Sequence, residues 1–214
     1  MSNAARTILV TGFEPFGGET INASWEAAQK LDGWRHGDTV GVARLLPCAY
    51  DASVKKLINA IETLRPDAVL MAGQAARRAV VCVERFAHNL DDATAPDNDG
   101  ALRRALRISR AAPEWLEARV SVRSIASAIK AAGIPARMSR DAGGFVCNHL
   151  YFGVLQYLSE KRSAIPAVFV HLPVTPGQSP RGANEKRLTP TEASDALRAA
   201  AAAILDDVKA SAAV

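Results

Sequence analysis

Residues 136–159 read ARMSRDAGGFVCNHLYFGVLQYLS. In order, they have the patterns of a short strand, a glycine turn and a helix. Residues 136–139 have the character of a strand, and Gly143 and Gly144 let the chain turn sharply. Beyond the turn, apolar residues recur at the spacing of one helical face: Val146, Leu150, Val154, Leu155 and Leu158. A strand that leads into a helix in this way indicates an α/β fold.

The same alternation runs along the rest of the chain. The other predicted strands are residues 7–11, 40–46, 68–72, 80–86 and 167–171. The predicted helices are residues 23–31, 52–64, 122–132, 147–159 and 191–210. This order predicts an α/β domain on a largely parallel sheet, and there is no linker long enough to divide residues 1–214.

Local signals mark the ends of some elements and one unusual loop. Asp51 and Thr189 or Thr191 are predicted N-caps, because their short polar side chains precede helical patterns. Residues 93–113 are rich in Asp, Pro, Gly and Arg and show no periodic pattern. Such a long loop in a small domain is often functional or mobile.

Composition and charge exclude several classes of protein. No apolar run approaches the ~18 residues of a membrane-spanning helix, and no separate apolar signal region precedes the first strand. The net charge of +4 includes a basic stretch at residues 103–110, but RNA-recognition aromatics and zinc-finger spacing are missing. We expect a cytoplasmic protein that binds neither nucleic acid nor a membrane, with this stretch as a solvated loop.

The three cysteines are too few for a disulfide framework and form no C-x-x-C pair. Cys48 and Cys82 lie in apolar segments, where a thiol packs as a small hydrophobe. Cys147 instead follows the glycine turn at the start of a predicted helix. There the free N–H groups and the helix dipole favour a thiolate and can hold an oxyanion. Cys147 is therefore the candidate nucleophile, with simple burial as the alternative.

A nucleophilic cysteine needs a histidine to take its proton. His171 ends an apolar strand, the place where open α/β sheets put their sites. A structural histidine there is an equal alternative, and His88 also remains possible. His149 lies two residues from Cys147 on one helix, so the two side chains diverge.

Glu84 interrupts a run of apolar residues in a predicted strand. A buried carboxylate is costly unless it is paired. It either orients the catalytic histidine or forms a structural salt bridge with its neighbour Arg85.

The glycine-rich segment TGFEPFGGET, residues 11–20, follows the first strand. A phosphate-binding loop needs a lysine after its last glycine. Here Glu19 stands in that place, and Glu14 adds a second carboxylate, so a phosphate site is excluded. Phe13 and Phe16 either belong to the core or line a small apolar pocket.

Several segments together resemble the pyroglutamyl peptidase I family of cysteine peptidases. They are VTGFEPFGG (10–18), INASWE (21–26), GQA (73–75), VER (83–85), NLDDA (89–93), PDN (96–98), AGGFVCNH (142–149) and VHLP (170–173). They occur in the family's order and span most of the chain.

The resemblance implies one catalytic domain over residues 1–214, folded as a three-layer α/β/α sandwich. It implies hydrolysis of an N-terminal pyroglutamyl residue through an acyl-enzyme, with Cys147, His171 and Glu84 as a triad. The implied lactam pocket consists of Phe13, Phe16 and Phe145, with polar contacts near Asn22 and Gln74. It also implies no metal or other cofactor, a peptide substrate, and a homo-oligomer, commonly a tetramer.

The chain also departs from the family pattern beside the expected site. Ala76 and Arg77 replace two glycines, Thr94 replaces an arginine, and residues 116–120 replace an S-T-L-P segment. Two alternatives therefore remain open: hydrolysis of another small cyclic amide, or a protein that binds pyroglutamyl ends and cleaves them poorly.

Overall fold

Strands and helices alternate in a computed structural model that describes residues 6–176, residue 178 and residues 187–212. The strands are β1 (Arg6–Phe13), β2 (Arg35–His36), β3 (Thr39–Leu46), β4 (Ala68–Gln74), β5 (Val81–Glu84), β6 (Phe86–His88), β7 (Trp115–Glu117), β8 (Ala136–Ser139) and β9 (Ala167–Leu172). The helices are α1 (Ala23–Ala28, continued by a 3₁₀ turn at Gln29–Leu31), α2 (Tyr50–Leu64), α3 (Val122–Ala131), α4 (Val146–Glu160) and α5 (Pro190–Ala212).

Seven strands form one mixed sheet in the order β2–β3–β1–β4–β9–β5–β8. Strand β1 pairs in parallel with β3 and β4, β4 pairs in parallel with β9, and β5 pairs in parallel with β8. Strand β5 is antiparallel to β9, and β2 is antiparallel to β3. The predicted, largely parallel sheet is confirmed.

Helices cover both faces of this sheet. Helices α1, α3 and α5 pack on one face against strand residues such as Ile8 and Val10. Helices α2 and α4 pack on the other face against residues such as Leu9 and Met71. Because successive strand side chains point to opposite faces, each central strand supplies both cores and reads as one apolar run. The three-layer α/β/α sandwich is confirmed. Within the described ranges, no helix has the length and apolar character to cross a membrane.

The parallel strands end along one edge of the sheet. Phe13 is the last residue of β1, Gln74 is the last of β4, and His171 is the penultimate residue of β9. Cys48 follows the end of β3 by two residues. Since parallel strands bring their carboxyl ends together, these residues meet at one place, where open α/β sheets bind their ligands.

The strand predicted over residues 80–86 is two strands. Strand β5 ends at Glu84, and β6 begins at Phe86 and pairs with β7 in a separate two-stranded sheet. Between them, the Arg85 N–H donates to the carbonyl oxygen of Ser139, which ends the main-sheet pairing. Strands β2 and β7 were not predicted, because two or three residues carry no periodic signal.

One predicted helix cap is wrong and one is confirmed. Helix α2 begins at Tyr50, before Asp51, and the Tyr50 N–H donates to Asp97 Oδ2 at 3.0 Å. The cap of α2 thus comes from the distant loop. At α5, Thr189 Oγ1 accepts from the Glu192 N–H at 3.2 Å, and the Glu192 carboxylate accepts from the Thr189 N–H at 2.8 Å. This is a reciprocal capping box.

The long loop, residues 93–113, is irregular as predicted but is tied to the helices. Arg103 forms ion pairs with Asp51 and, at 3.1 Å, with buried Asp91. Its guanidinium lies 4.5 Å from the ring centroid of Tyr50. The prediction of a solvated basic stretch is therefore wrong at Arg103, whose side chain is only 24% exposed and forms ion pairs with two carboxylates.

Candidate active site

Cys147 lies in the first turn of α4, directly after the glycine turn. Gly143 has a φ of 85°, which favours glycine. A Cβ at Gly144 would lie 2.5 Å from the carbonyl oxygen of Asp92, so the turn packs directly on another backbone segment. Below the sulfur, a Cβ at Gly73 would lie 2.8 Å from Cys147 Sγ. Glycines thus shape the chain both before and beneath Cys147.

A cavity of about 110 Å³ opens at the carboxyl edge of the sheet. Its lining residues are Phe13, Phe16, Asn22, Cys48, Gln74, Ala142, Gly143, Phe145, Cys147 and His171. The structure thus brings together every predicted site residue except Glu84, which lies behind the cavity wall.

Glu84 reaches His171 from the neighbouring antiparallel strand. In the register, Cys82 lies opposite His171 and Glu84 lies opposite Phe169, so Glu84 is a diagonal neighbour of His171 on the same face. Glu84 Oε1 lies 2.8 Å from His171 Nδ1, and both side chains are buried. Because a carboxylate only accepts, Nδ1 carries the hydrogen and Nε2 is left as the acceptor.

The salt bridge considered between Glu84 and Arg85 does not form. Arg85 pairs with Glu117 at 2.7 Å, whereas Glu84 Oε1 pairs with Arg78 Nη1 at 2.9 Å. Adjacent residues of a strand point to opposite faces, which separates Arg85 from Glu84. Arg78 also donates to Ser139 Oγ at 2.9 Å. Sequence reasoning missed Arg78, and its only signal was a basic residue shortly before a buried carboxylate.

The electrostatics at Cys147 oppose the sequence prediction. Burial raises the pKa of its thiol from about 9 to about 12, the Glu84 carboxylate adds to the rise, and Arg78 and a backbone hydrogen bond oppose it. That shift is worth about 4 kcal/mol, more than the roughly 0.3–2 kcal/mol that a helix dipole supplies. The expected low pKa is therefore wrong: the surroundings of Cys147 favour the protonated thiol.

The other histidines are engaged elsewhere. His149 Nδ1 lies 2.9 Å from Asp91 Oδ2, and His88 Nε2 lies 2.9 Å from the carbonyl oxygen of Arg140. His36 Nε2 pairs with Asp206. His88 is therefore removed as an alternative base, and the prediction that His149 diverges from the nucleophile is confirmed.

The two predicted polar pocket residues, Asn22 and Gln74, also form hydrogen bonds with the segments around the cavity. Asn22 caps α1, accepting from the Ser24 N–H at 3.0 Å, and its amide nitrogen donates to the carbonyl oxygen of Glu14 at 2.9 Å. Gln74 Oε1 accepts from the Ala23 N–H at 2.8 Å and from Gln178 Nε2 at 2.7 Å. These side chains are fixed by partners outside the cavity that they line.

The aromatic residues serve as both core and cavity wall. Phe13 is 2% exposed and its ring centroid lies 6.5 Å from that of Phe169 in the core. Phe16 and Phe145 pack on each other with centroids 5.9 Å apart, and Tyr50 meets Phe145 edge-on at 5.7 Å. Both interpretations of Phe13 are therefore correct, since one side of it is core and another faces the cavity.

Comparison with known proteins identifies the family. The family model for pyroglutamyl peptidase matches residues 6–207. The chain belongs to this family. It is 41% identical over 201 residues to the pyrrolidone-carboxylate peptidase of Cupriavidus necator, covering 94% of this chain and 93% of that protein. The corresponding protein of Klebsiella pneumoniae is 39% identical over 198 residues, 92% of each chain.

Solved pyroglutamyl peptidases have the same fold. A crystal structure of pyroglutamyl peptidase I from Bacillus amyloliquefaciens gives a TM-score of 0.91 at 35% identity, covering 95% of this chain and 98% of that chain. A variant of the pyrrolidone carboxyl peptidase of Pyrococcus furiosus gives 0.89 at 30% identity, covering 94% and 99%.

Sequence reasoning missed two residues that shape the cavity of this pyroglutamyl peptidase family member. Glu14 Oε1 accepts from the Cys48 N–H at 3.1 Å and from Asn98 Nδ2 at 2.8 Å, so it joins the glycine-rich segment 11–20 to the end of β3 and to the long loop. Cys48, predicted as plain core, lines the cavity as well, and burial raises the pKa of its thiol. The only signal was the carboxylate of Glu14 between the two phenylalanines of residues 11–20.

A wider cleft of about 710 Å³ adjoins the cavity. Gly143 lines both spaces, so they meet at the turn before Cys147. Trp115, 58% exposed, and Leu90, 43% exposed, give the cleft apolar surface, and Asp92 and Asp141 add carboxylates.

Proposed function

We propose that this protein hydrolyses the amide bond after an N-terminal pyroglutamyl residue, with Cys147 as nucleophile, His171 as proton carrier and Glu84 as the group that orients His171. The carrying observation is one small cavity that contains both Cys147 and His171, with Glu84 2.8 Å behind the imidazole. The names of the related proteins support the same activity.

The cavity suits a small uncharged ring. Its walls are mainly aromatic and aliphatic, and none of the lining residues described for it is a carboxylate that could pair with a free α-ammonium group. A pyroglutamyl end has no such ammonium group, because its nitrogen is closed into a lactam. The Gln74 side-chain oxygen is already engaged, so we assign its amide nitrogen as the donor to the lactam carbonyl. Asn22 supports the wall from the start of α1.

The first chemical step is attack by the Cys147 sulfur on the pyroglutamyl carbonyl carbon. Since burial raises the pKa of the thiol to about 12, its proton moves to Nε2 of His171 as the S–C bond forms. The N–H groups of the first turn of α4 have no acceptor within the helix and hold the oxyanion. Glu84 stabilises the imidazolium and keeps the hydrogen on Nδ1.

The second half of the reaction releases the products. His171 gives its proton to the leaving amine as the C–N bond breaks, which leaves a thioester on Cys147. Water, deprotonated by His171, then attacks the thioester carbonyl, and the C–S bond breaks to give free pyroglutamate and the thiol.

The order of the strands indicates on which side of the cavity the peptide chain after the lactam leaves. Phe13 and Cys48 come from β1 and from the end of β3, Gly73 under the sulfur lies on β4, and His171 lies on β9. The leaving amine is on the side of His171, away from the aromatic wall. Beyond His171 the sheet continues to β5 and β8, and the cleft beside Gly143 gives the peptide room.

The same proposal covers organisation and location. One catalytic domain over residues 1–214 is supported by the family match to residues 6–207. A cytoplasmic location is supported by three free cysteines, which suit a reducing compartment. A homotetramer rests on the family resemblance, and light scattering after size-exclusion chromatography tests it against a monomer.

A fluorogenic pyroglutamyl amide tests the activity. Purified protein in reducing buffer should release the fluorophore, Cys147→Ala should release none, and Arg77→Met, which alters an exposed residue outside the cavity lining, should remain active. Iodoacetamide should label Cys147, located by mass spectrometry, and stop turnover.

The alternatives give different results. Labelling of Cys147 without pyroglutamyl turnover, combined with cleavage of other cyclic amides, would replace the proposed substrate. Tight binding of a pyroglutamyl peptide without acylation of Cys147 would favour a binding protein.

A further inference from the structure

One carboxylate oxygen at the centre of the site has two donors. Glu84 Oε1 lies 2.8 Å from His171 Nδ1 and 2.9 Å from Arg78 Nη1. The Glu84 side chain has no solvent exposure, and that of Arg78 is 18% exposed. A buried carboxylate needs a cation and directed hydrogen bonds to stay ionised. His171 donates a hydrogen bond through Nδ1, and Arg78 brings a permanent positive charge to the same oxygen, so we assign Arg78 as the neutralising cation.

The same guanidinium reaches the turn in front of the nucleophile. Arg78 Nη1 donates to Ser139 Oγ at 2.9 Å, and Arg78 Nη2 donates to the carbonyl oxygen of Asp141. Asp141 in turn accepts from the Gly143 N–H at 2.7 Å through Oδ1. A planar guanidinium can hold several acceptors in fixed directions, which an ammonium group cannot do.

We propose that Arg78 is a positioning residue of this active site: it pairs with the Glu84 carboxylate and keeps it directed at His171, and it couples that carboxylate to the turn that presents Cys147. The inference rests on the proposed function, and it adds a fourth residue to the three that handle the reacting atoms and protons.

The charged groups around Glu84 determine how the pKa of Cys147 changes when Arg78 is removed. The titratable groups that face Glu84 come from β9, from the segment before β5, from α4 and from β8: His171, Arg78, Cys147, Tyr151 and Arg137. Arg137 donates to the sulfur of Cys82. None of the hydrogen bonds described for Arg137 reaches the Glu84 carboxylate. Without Arg78, the Glu84 charge acts on Cys147 with less opposition, so the pKa of the Cys147 thiol rises further.

Three variants separate positioning from a merely structural role. Arg78→Met removes the charge and the hydrogen-bond donors. Arg78→Lys keeps the charge but loses the planar guanidinium that donates in several fixed directions. Arg77→Met is the matched control, since Arg77 is the adjacent arginine and is exposed. For each variant we would measure the rate of Cys147 alkylation by iodoacetamide against pH, the kcat and KM for a pyroglutamyl amide, and the thermal melting curve.

For Arg78→Met we expect the alkylation profile to move up by about one pH unit, which is about tenfold slower at a fixed pH. We expect kcat to fall about 10²-fold while KM stays within about threefold, because misplaced catalytic groups cost that much. Arg78→Lys should restore the alkylation profile but regain only part of kcat. Arg77→Met should match the wild type.

The proposal is overturned if Arg78→Met shows the wild-type alkylation profile and the same kcat as Arg77→Met. If Arg78→Met does not fold, Arg78→Lys decides: a folded Lys variant with wild-type kcat overturns the proposal, and one with kcat about tenfold lower supports it. If wild-type protein fails to cleave pyroglutamyl amides, the proposed function fails. The alkylation measurement still tests the effect of Arg78 on Cys147.

Discussion

A methyl group at Gly73 has no room beside the nucleophile. A Cβ there would lie 2.8 Å from Cys147 Sγ and 2.7 Å from Cζ of Phe169. Unbonded heavy atoms rest at about 3.5–4.0 Å, so Gly73→Ala must push the sulfur or the ring away by roughly 0.7 Å or more. Phe169 packs against His171 with ring centroids 4.8 Å apart, so movement of either neighbour disturbs the site.

Two effects of different size follow from this displacement. A shift of about 1 Å in a reacting group costs about 10²-fold in rate, so kcat/KM for a fluorogenic pyroglutamyl amide should fall by about that factor. Overpacking a buried site costs about 1–3 kcal/mol. In a chain of this size that lowers the melting temperature by about 2–12 °C. The variant should therefore remain folded at 25 °C and be nearly inactive.

Gly153→Ala is the matched control. A Cβ at Gly153 would lie 3.0 Å from both methyl groups of Val54, where α4 packs on α2, outside the residues that line the cavity. Helix propensity offsets part of its packing cost, by up to about 1 kcal/mol. We expect turnover within about twofold of wild type, since no catalytic group moves. A folded Gly73→Ala protein with the same turnover as Gly153→Ala would refute the close contact at Cys147.

Three further perturbations test other parts of the structure. Alkylation of Cys147 should accelerate about tenfold per pH unit up to pH 10, because desolvation raises the pKa of this half-buried thiol to about 12 and the thiolate fraction grows throughout that range; a plateau near pH 8.5 would contradict this. Glu84→Gln should lower kcat by about 10³–10⁴-fold, since an amide can hold His171 in the wrong tautomer; near-normal turnover would remove Glu84 from the mechanism. Asp97→Ala deprives the Tyr50 N–H and two loop N–H groups of their acceptor, and denaturant unfolding should show a loss of about 1–3 kcal/mol; unchanged stability would contradict the cap.

The elements with strong periodicity were predictable from the sequence. The apolar run that ends at His171 lies in the interior strand β9, and the pattern after Cys147 is a helix within one residue of its predicted ends. Phe13, Gln74 and His171 meet at one edge because parallel strands align their carboxyl ends. That part of the site follows from strand order and direction.

Contacts between distant segments were not predictable in the same way. Asp97 caps a helix 47 residues earlier in the chain, and Arg78 meets Ser139 across 61 residues. That Glu84 does not pair with Arg85 could be predicted from the sequence, because adjacent residues of an extended segment point to opposite faces. The pKa of Cys147 was not accessible, because a sequence shows that a residue begins a helix but not how deeply its sulfur is buried.

The pairing of Glu84 with His171 also bears on how the protein folds. The two residues lie 87 positions apart, and they meet only when β5 docks antiparallel beside β9. A slip of one residue in that ladder would turn Glu84 to the far side of the sheet. Contacts that close such long segments form slowly, whereas helices form early. During refolding from denaturant, the helical signal therefore returns first, and the ability to cleave substrate returns only when this distant pair has closed.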